Sequence, residues 1–264
     1  ETEVTIAMCG KYNSLHDAYK SIIEAFIHAG VANNTEVNIK WVDTEELETA
    51  TDLSPYFEDV DGVLIPGGFG DRGIEGKILS SKFARENKIP YLGICLGMQC
   101  AIIDFARNVC EMKNANSSEF KSRLKFPVVD LMHGQRNVTK KGATMRLGAY
   151  PCEVKSGTNA HKAYGKKRID ERHRHRFEVN NDFKDELVKS GLIISGVNND
   201  LDLVEMIEIK DHPWFVGVQF HPELKSRVVD VHPLFKDFDR IQFDYKTDDP
   251  KLIIKSISGI YFYK

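Results

Sequence analysis

Short apolar runs alternate with stretches of helical periodicity along the first part of the chain. The run Val4–Gly10 is almost entirely apolar, and in the segment after it Ile22, Ala25, Phe26 and Ala29 recur three and four positions apart. The same alternation recurs twice before residue 110. Continuous apolar runs are typical of strands buried on both faces, and 3.6-residue periodicity is typical of helices that cover them. The pattern predicts a doubly wound α/β fold with a mostly parallel central sheet flanked by helices.

The second half of the chain is less regular. Charged residues and glycines dominate 120–171, which predicts surface loops with a few short strands. Apolar runs return at 177–180, 192–197, 203–209 and 214–220, and we expect a strand at each. No internal repeat or low-complexity linker divides the chain. We therefore expect one domain over residues 1–238, followed by a C-terminal extension, 239–264, whose structure the pattern does not predict.

Composition excludes several classes of protein. The chain has 264 residues, of which 42% are hydrophobic and 28% charged, and its formal net charge is -3. This charge gives no strong attraction to nucleic acid or to anionic membranes. No apolar run approaches the roughly 20 residues of a membrane span, and the acidic opening, ETEVTIAMCGK, does not read as a signal peptide. We expect a cytoplasmic protein.

Five cysteines, at positions 9, 95, 100, 110 and 152, form neither a disulfide framework nor a zinc-ligand pattern. We expect reduced thiols and no metal site. Cys95 differs from the others because it stands between Gly93 and Gly97, after an apolar run and before a helical pattern. Flanking glycines between a strand and a helix are typical of a nucleophile elbow, and a helix N-terminus favours thiolate over thiol. A cysteine that only packs in the core is the alternative.

A cysteine nucleophile needs an acid–base partner, normally a histidine that a third group orients. His221 follows an apolar strand, and Glu223 lies two residues further on. His212-Pro213 and His232-Pro233 have the same dipeptide, so only the glutamate and the strand favour His221. The loop Gly67–Gly70 lacks the Lys-Ser/Thr of a P-loop and the spacing of a dinucleotide site. Its backbone N–H groups could face an oxyanion beside Cys95.

These three elements, in this order, resemble the class I (triad) glutamine amidotransferases. The strings PGGFGDRGIEGKI, IPYLGICLGMQ, NANSSEF, TMRLG, ERHRHRFEVNN and HPWFVGVQFHPE are similar to the glutaminase domains of the CTP synthase family. The resemblance extends from about Val4 to Phe238. It implies a flavodoxin-like α/β fold and hydrolysis of L-glutamine to L-glutamate and ammonia through a thioester.

The resemblance also implies a role for each matching residue. Cys95 would attack the side-chain amide, His221 would pass a proton to the departing ammonia, and Glu223 would hold the imidazole. The N–H groups of Gly68 and Leu96 would form the oxyanion hole. The other residues expected at the glutamine site are Gly97, Met98, Gln99, Glu119 and Arg176.

In the CTP synthase family the glutaminase domain is fused to an N-terminal synthetase (amidoligase) domain, which this chain does not contain. The resemblance therefore implies that ATP, UTP and Mg²⁺ act in the synthetase domain, that GTP activates the coupled reaction, and that the full-length enzyme is a homotetramer. Two departures limit the match. KGATMRLG (141–148) replaces the family's GGTMRLG, and the sequence after Phe238 does not follow the family.

Three alternatives stay open at the level of sequence. A γ-glutamyl hydrolase or peptidase would share the elbow but not the clamp formed by Glu119 and Arg176. A non-catalytic regulatory domain would keep the fold without turnover. The basic run Arg172–Arg176 is typical of a nucleic-acid patch, but no other part of the chain supports that interpretation.

Overall fold

A computed structural model describes residues 2–11, 16–131 and 145–248. The strands in these ranges are β1 Thr2–Gly10, β2 Thr35–Asp43, β3 Gly62–Ile65, β4 Tyr91–Ile94, β5 Asn116–Ser117, β6 Pro127–Leu131, β7 Arg146–Val154, β8 Arg168–His175, β9 Phe177–Val179, β10 Leu192–Asn198, β11 Leu203–Ile209 and β12 Phe215–Val218. The α-helices are α1 Lys20–Asn33, α2 Thr44–Leu47, α3 Ile74–Glu86, α4 Leu96–Asn108, α5 Asn159–Tyr164, α6 Lys184–Lys189 and α7 Pro233–Asp248.

Nine strands form one sheet in the order β2-β1-β3-β4-β12-β11-β10-β7-β8. The five strands from β2 to β12 are parallel to one another. The pairs from β12 to β8 are antiparallel. The predicted α/β fold, with a large central sheet flanked by helices, is confirmed. A separate sheet of three strands, β5-β6-β9, lies beside it.

Apolar side chains fill both faces of the sheet. On one face α1 and α7 pack together, and the ring of Phe26 meets that of Phe235 edge to face with centroids 5.1 Å apart. On the other face α3 and α4 cover strands β3 and β4. The strands at the centre are buried on both sides, which explains their continuous apolar sequences. This packing leaves the carboxyl ends of β3, β4 and β12 beside one another.

The region expected to be mostly loops contains more regular structure than the pattern predicted. Strands β7 and β8 pair over eight residue positions. Along β8 exposed and buried residues alternate strictly, but three of the buried ones are Glu171, His173 and His175. Polar residues in the buried positions hide the alternation that identifies a half-buried strand. The strand was missed for this reason.

The last helix crosses the domain boundary that the sequence predicted. Phe238 is fully buried in α7, and the buried carboxylate of Asp239 accepts hydrogen bonds from Asn33 and Thr35. Residues 249–264, the greater part of the predicted extension, lie outside the described residues. No helix in the described ranges is long and apolar enough to span a membrane.

Gly97 allows α4 to approach the sheet, and its replacement tests this packing. A Cβ at Gly97 would lie 2.3 Å from the carbonyl oxygen of Ile65. We expect Gly97→Ala to lower the free energy of unfolding by about 1–3 kcal/mol, because backbone atoms must move to relieve the overlap. Urea unfolding measures this change.

Gly68→Ala is the matched control for stability. A Cβ at Gly68 would meet its nearest atoms at 3.5 and 3.6 Å, which is ordinary contact. Equal unfolding free energies for the two variants would contradict the packing argument.

Candidate active site

Cys95 occupies the turn between β4 and α4 in a backbone conformation that cysteine rarely adopts. Its φ is 52° and its ψ is −101°, and it stands at the N-cap of α4. Such a conformation costs about 1–3 kcal/mol and persists only where the surroundings impose it. The backbone is held on both sides: the Cys95 N–H donates to the oxygen of Val218 at 2.7 Å, and its carbonyl accepts from the N–H of Gln99 at 3.2 Å.

The two flanking glycines are required by close contacts. A Cβ on Gly93 would lie 2.8 Å from the carbonyl carbon of Gly97 and the same distance from the Tyr91 ring. The Tyr91 hydroxyl also donates to the Gly97 oxygen at 2.9 Å. The G-x-C-x-G spacing therefore reflects a tight crossing of backbones that directs the sulfur to the N-terminal end of α4, as the elbow interpretation requires.

His221 lies beside this turn because β12 pairs with β4. Val218 is the register partner of Ile94, so the chain segments after both strands emerge at one edge of the sheet. Gly67 shows that the side chains of Cys95 and His221 are close together. A Cβ built on Gly67 would lie 2.7 Å from His221 Cε1 and 3.5 Å from Cys95 Cβ. His221 Nδ1 lies 2.7 Å from Glu223 Oε1, and since a carboxylate can only accept, Nδ1 donates.

The electrostatics favour a charged imidazole. Burial by itself lowers the pKa of His221, but the nearby Cys95 sulfur and the Glu223 carboxylate outweigh burial and raise this pKa to about 10. Among the described residues, no hydrogen bond reaches Nε2. The second ring nitrogen is therefore left available, beside the cysteine, for proton transfer.

The loop after β3 connects the parts of the site. Gly67 touches Cys95 and His221, and Gly68 lies against the Leu96 side chain, so the two predicted oxyanion donors are neighbours. Further along the loop, the Gly70 N–H points to Glu119 Oε1 at 3.5 Å. One glycine-rich turn thus borders both the cysteine and the expected amino-acid clamp.

Glu119 and Arg176 come together although 57 positions separate them in sequence. Burial raises the pKa of Glu119, and the hydrogen bond from Gly70 and the positive charges of Arg176 and Lys11 oppose this rise. A carboxylate beside a guanidinium can hold both charged groups of an amino acid. The roles that the resemblance implies for these two residues remain predictions.

Three other predicted residues are buried in α4. Met98 packs beneath Gly217, and Gly97 carries the close contact with Ile65. Gln99 donates to the Phe177 oxygen at 3.0 Å and to Gln219 Oε1 at 3.3 Å, and Gln219 in turn donates to Cys95 Sγ at 3.8 Å. The sequence analysis did not predict a role for Gln219. Its only signal is that it is the single polar side chain in the run WFVGVQF.

The remaining histidine candidates have structural partners elsewhere. His212 is buried against the Ala84 carbonyl, and burial lowers its pKa to about 4. His232 lies between Tyr164 and Glu171. The basic run 172–176 alternates between solvent and interior, so it does not present one basic face.

The described ranges contain no group of three or more histidine, cysteine, aspartate or glutamate side chains that could hold a metal ion. All five cysteines are free thiols. The segment KGATMRLG differs from the family's GGTMRLG, and its first four residues, 141–144, lie outside the described residues.

The chain matches the family "Glutamine amidotransferase class-I" over residues 14–241. It is 57% identical over 243 residues to the CTP synthase of Clostridium kluyveri, which covers 92% of this chain and 45% of that protein. It is 58% identical over 237 residues to the CTP synthase of Chlorobium phaeobacteroides, with 89% and 42% covered. The chain therefore spans less than half the length of these curated relatives.

Solved structures agree with this match. The glutaminase domain of Trypanosoma brucei CTPS, with bound acivicin, has a TM-score of 0.85 and 37% sequence identity, and the match covers 91% of this chain and 94% of that one. A glutamine amidotransferase from Thermotoga maritima has a TM-score of 0.51 at 14% identity, with 97% and 90% covered, and shows likeness of fold alone.

Replacing Glu223 tests the electrostatics of the histidine. In Glu223→Gln we expect the pKa of His221 to fall from about 10, because one of the interactions that raise it is removed. NMR titration of the imidazole measures this change. His212, whose pKa burial lowers to about 4, should titrate identically in both proteins.

The sign of the stability change follows from linkage. A raised pKa in the folded state adds stability at pH values below the ordinary histidine range, and this stability is lost as pH rises toward 10. The difference in unfolding free energy between wild type and Glu223→Gln should therefore shrink from about pH 6 to about pH 10. A difference that grows over this range would contradict the assignment.

Proposed function

The chain belongs to the class I glutamine amidotransferases, and we propose that it hydrolyses the side-chain amide of L-glutamine at Cys95, with release of ammonia and L-glutamate. The observation that carries this proposal is the convergence of Cys95, His221 and the loop of Gly67 and Gly68 at the carboxyl ends of β3, β4 and β12. A strained cysteine at a helix N-terminus, beside a histidine held by a carboxylate, is suited to acyl transfer.

The first half of the reaction forms a thioester. The Cys95 sulfur attacks the amide carbon, and the carbonyl oxygen becomes an oxyanion that the N–H groups of Gly68 and Leu96 stabilise. When the C–N bond breaks, His221 gives its Nε2 proton to the leaving nitrogen, and ammonia departs. The imidazole is then neutral. Because Glu223 accepts from Nδ1, it keeps the ring oriented throughout.

The second half releases glutamate. Neutral His221 takes a proton from a water molecule, and the resulting hydroxide attacks the thioester carbon. The same two backbone donors stabilise the second oxyanion. The C–S bond breaks, the thiolate leaves, and the imidazolium that faces it is restored.

The substrate would be held by its amino-acid end. We propose that the carboxylate of Glu119 pairs with the α-ammonium group and that Arg176 binds the α-carboxylate with two parallel hydrogen bonds. This clamp favours free glutamine over glutamine within a polypeptide, whose α-amino and α-carboxyl groups are tied up in peptide bonds. The likeness to a glutaminase domain that binds acivicin supports the same choice.

In the full-length protein we propose that the released ammonia aminates UTP to CTP in a separate synthetase domain, at the expense of ATP with Mg²⁺, and that GTP regulates this coupling. The support is that the relatives named CTP synthase are more than twice as long as the matched region. A homotetrameric full-length enzyme and a cytoplasmic location are parts of the same proposal.

Loss of the sulfur tests the nucleophile. We expect Cys95→Ala and Cys95→Ser to reduce glutamine hydrolysis by a factor of about 10⁴ or more, because each removes the sulfur that forms the thioester. Ammonia release from glutamine, with and without added synthetase domain, measures the rate. Cys100→Ala, in the same helix but facing the core, is the control. Turnover by Cys95→Ala would overturn the proposal.

Arg176 tests the clamp. We expect Arg176→Ala to raise KM for glutamine by about tenfold or more with a smaller change in kcat, because its contact would be alike in the ground and transition states. Steady-state kinetics separate the two constants. Arg168→Ala removes a surface arginine whose guanidinium lies 3.7 Å from Glu153, and it should leave both constants unchanged. An unchanged KM in Arg176→Ala would remove this residue from the clamp.

A further inference from the structure

Lys77 is a buried lysine that the proposed hydrolysis does not use. Its side chain is 1% exposed and stands in the first turn of α3. Both features are unfavourable for a cation, because burial removes hydration and the helix dipole places positive partial charge at this end. Among the described residues, the groups whose charge acts on its ammonium are thiols and another lysine, and none of them is a carboxylate. A buried lysine without a carboxylate partner is energetically unfavourable, so we expect another group nearby to supply the negative charge that stabilises it.

The ammonium group lies close to Gly68 in the loop after β3. A Cβ built on Gly68 would be 3.6 Å from Lys77 Nζ and 3.5 Å from Leu96 Cδ2. Lys77 Nζ therefore lies on the side of Gly68 from which a side chain would project, next to the residue whose N–H group is the proposed oxyanion donor.

The acidic groups that act on Lys77 are three thiols. Burial lowers the pKa of Lys77, the nearby Cys100, Cys9 and Cys95 act in the opposite direction, and Lys11 adds to the lowering. Burial raises the pKa of Cys9 and of Cys100 to about 12, so neither becomes an anion near neutral pH. Cys95 is the thiol that meets His221 and stands at a helix N-terminus. It is the one group of the three suited to carry the negative charge.

We propose that Lys77 is a buried counter-cation for the Cys95 thiolate and for the oxyanion at Gly68, and thus a positioning residue of the hydrolysis. Its charge acts across the loop, and its side chain does not contact the substrate. The inference rests on the proposed function only in taking Cys95 as the nucleophile. It assigns a third source of positive charge to the site, besides the His221 imidazolium and the N-terminus of α4.

The test is the ionisation of Cys95 in the 264-residue chain, followed as the rate of alkylation by iodoacetamide against pH, with mass analysis of the Cys95 peptide. We expect Lys77→Met to shift the midpoint of this profile upward by about one pH unit and to lower kcat for glutamine about tenfold, with KM nearly unchanged. Lys77→Gln should give the same shift, because the effect depends on charge rather than shape.

Lys82→Met is the matched control, since Lys82 is in the same helix but is not fully buried. It should leave the alkylation profile and kcat as in wild type. The melting temperature gives a further readout: removing an unpaired buried charge should leave it unchanged or higher, whereas a lysine that only supports the fold would lower it.

An alkylation profile identical to wild type in folded Lys77→Met or Lys77→Gln would overturn the inference, and so would a change in KM alone. The alkylation readout requires no turnover. An unchanged alkylation profile in the Lys77 variants would disprove the role of Lys77 even if the wild-type chain hydrolyses glutamine normally. Failure of the proposed function would appear separately, as turnover by Cys95→Ala.

Discussion

The site depends on one close approach between backbones, that of the N-terminus of α4 to strand β3. Gly97 allows the contact, because a Cβ at this position would overlap with the carbonyl oxygen of Ile65. With the helix so near the sheet, the link from β4 has room for a single residue, and that residue must take a positive φ. Cys95 adopts this strained backbone conformation, and the conformation fixes its sulfur at the N-terminus of α4.

The parallel order of strands brings the remaining groups to this point. β3, β4 and β12 are neighbours in the sheet and run in the same direction, so the segments after them emerge together. They carry the glycine loop, the cysteine and the histidine respectively. Ligand sites in α/β sheets collect at carboxyl edges of this kind. The antiparallel half of the sheet adds β8, whose Arg172 carbonyl accepts from the His221 N–H at 2.8 Å.

A network of buried charges joins strands of the antiparallel half of the sheet to the small sheet. Arg146 bonds to Glu178 at 3.0 Å and to Glu205 at 2.7 Å, and so connects β7, β9 and β11. Burial raises the pKa of Glu205 to about 7. A broken network of this kind leaves an uncompensated charge, which is strongly destabilising, so it resists rearrangement of the strands it joins. Lys77 in α3 is a buried charge on which no carboxylate of the described residues acts, and its position beside Gly68 fits the counter-cation role proposed for it.

The sequence by itself determined the α/β class, the elbow around Cys95 and the His-Pro-Glu string, because each depends on residues close together along the chain. Tight turns require glycine, and buried strands require apolar runs, whatever the rest of the fold does. Only the tertiary structure decided which histidine meets the cysteine, how Glu119 reaches Arg176, that Gln219 reaches the sulfur, and that Lys77 lies beside Gly68. It also showed strand β8, where three of the four buried residues are charged or polar. These features arise from strand order and helix packing, which join residues far apart in sequence and leave no local pattern to read.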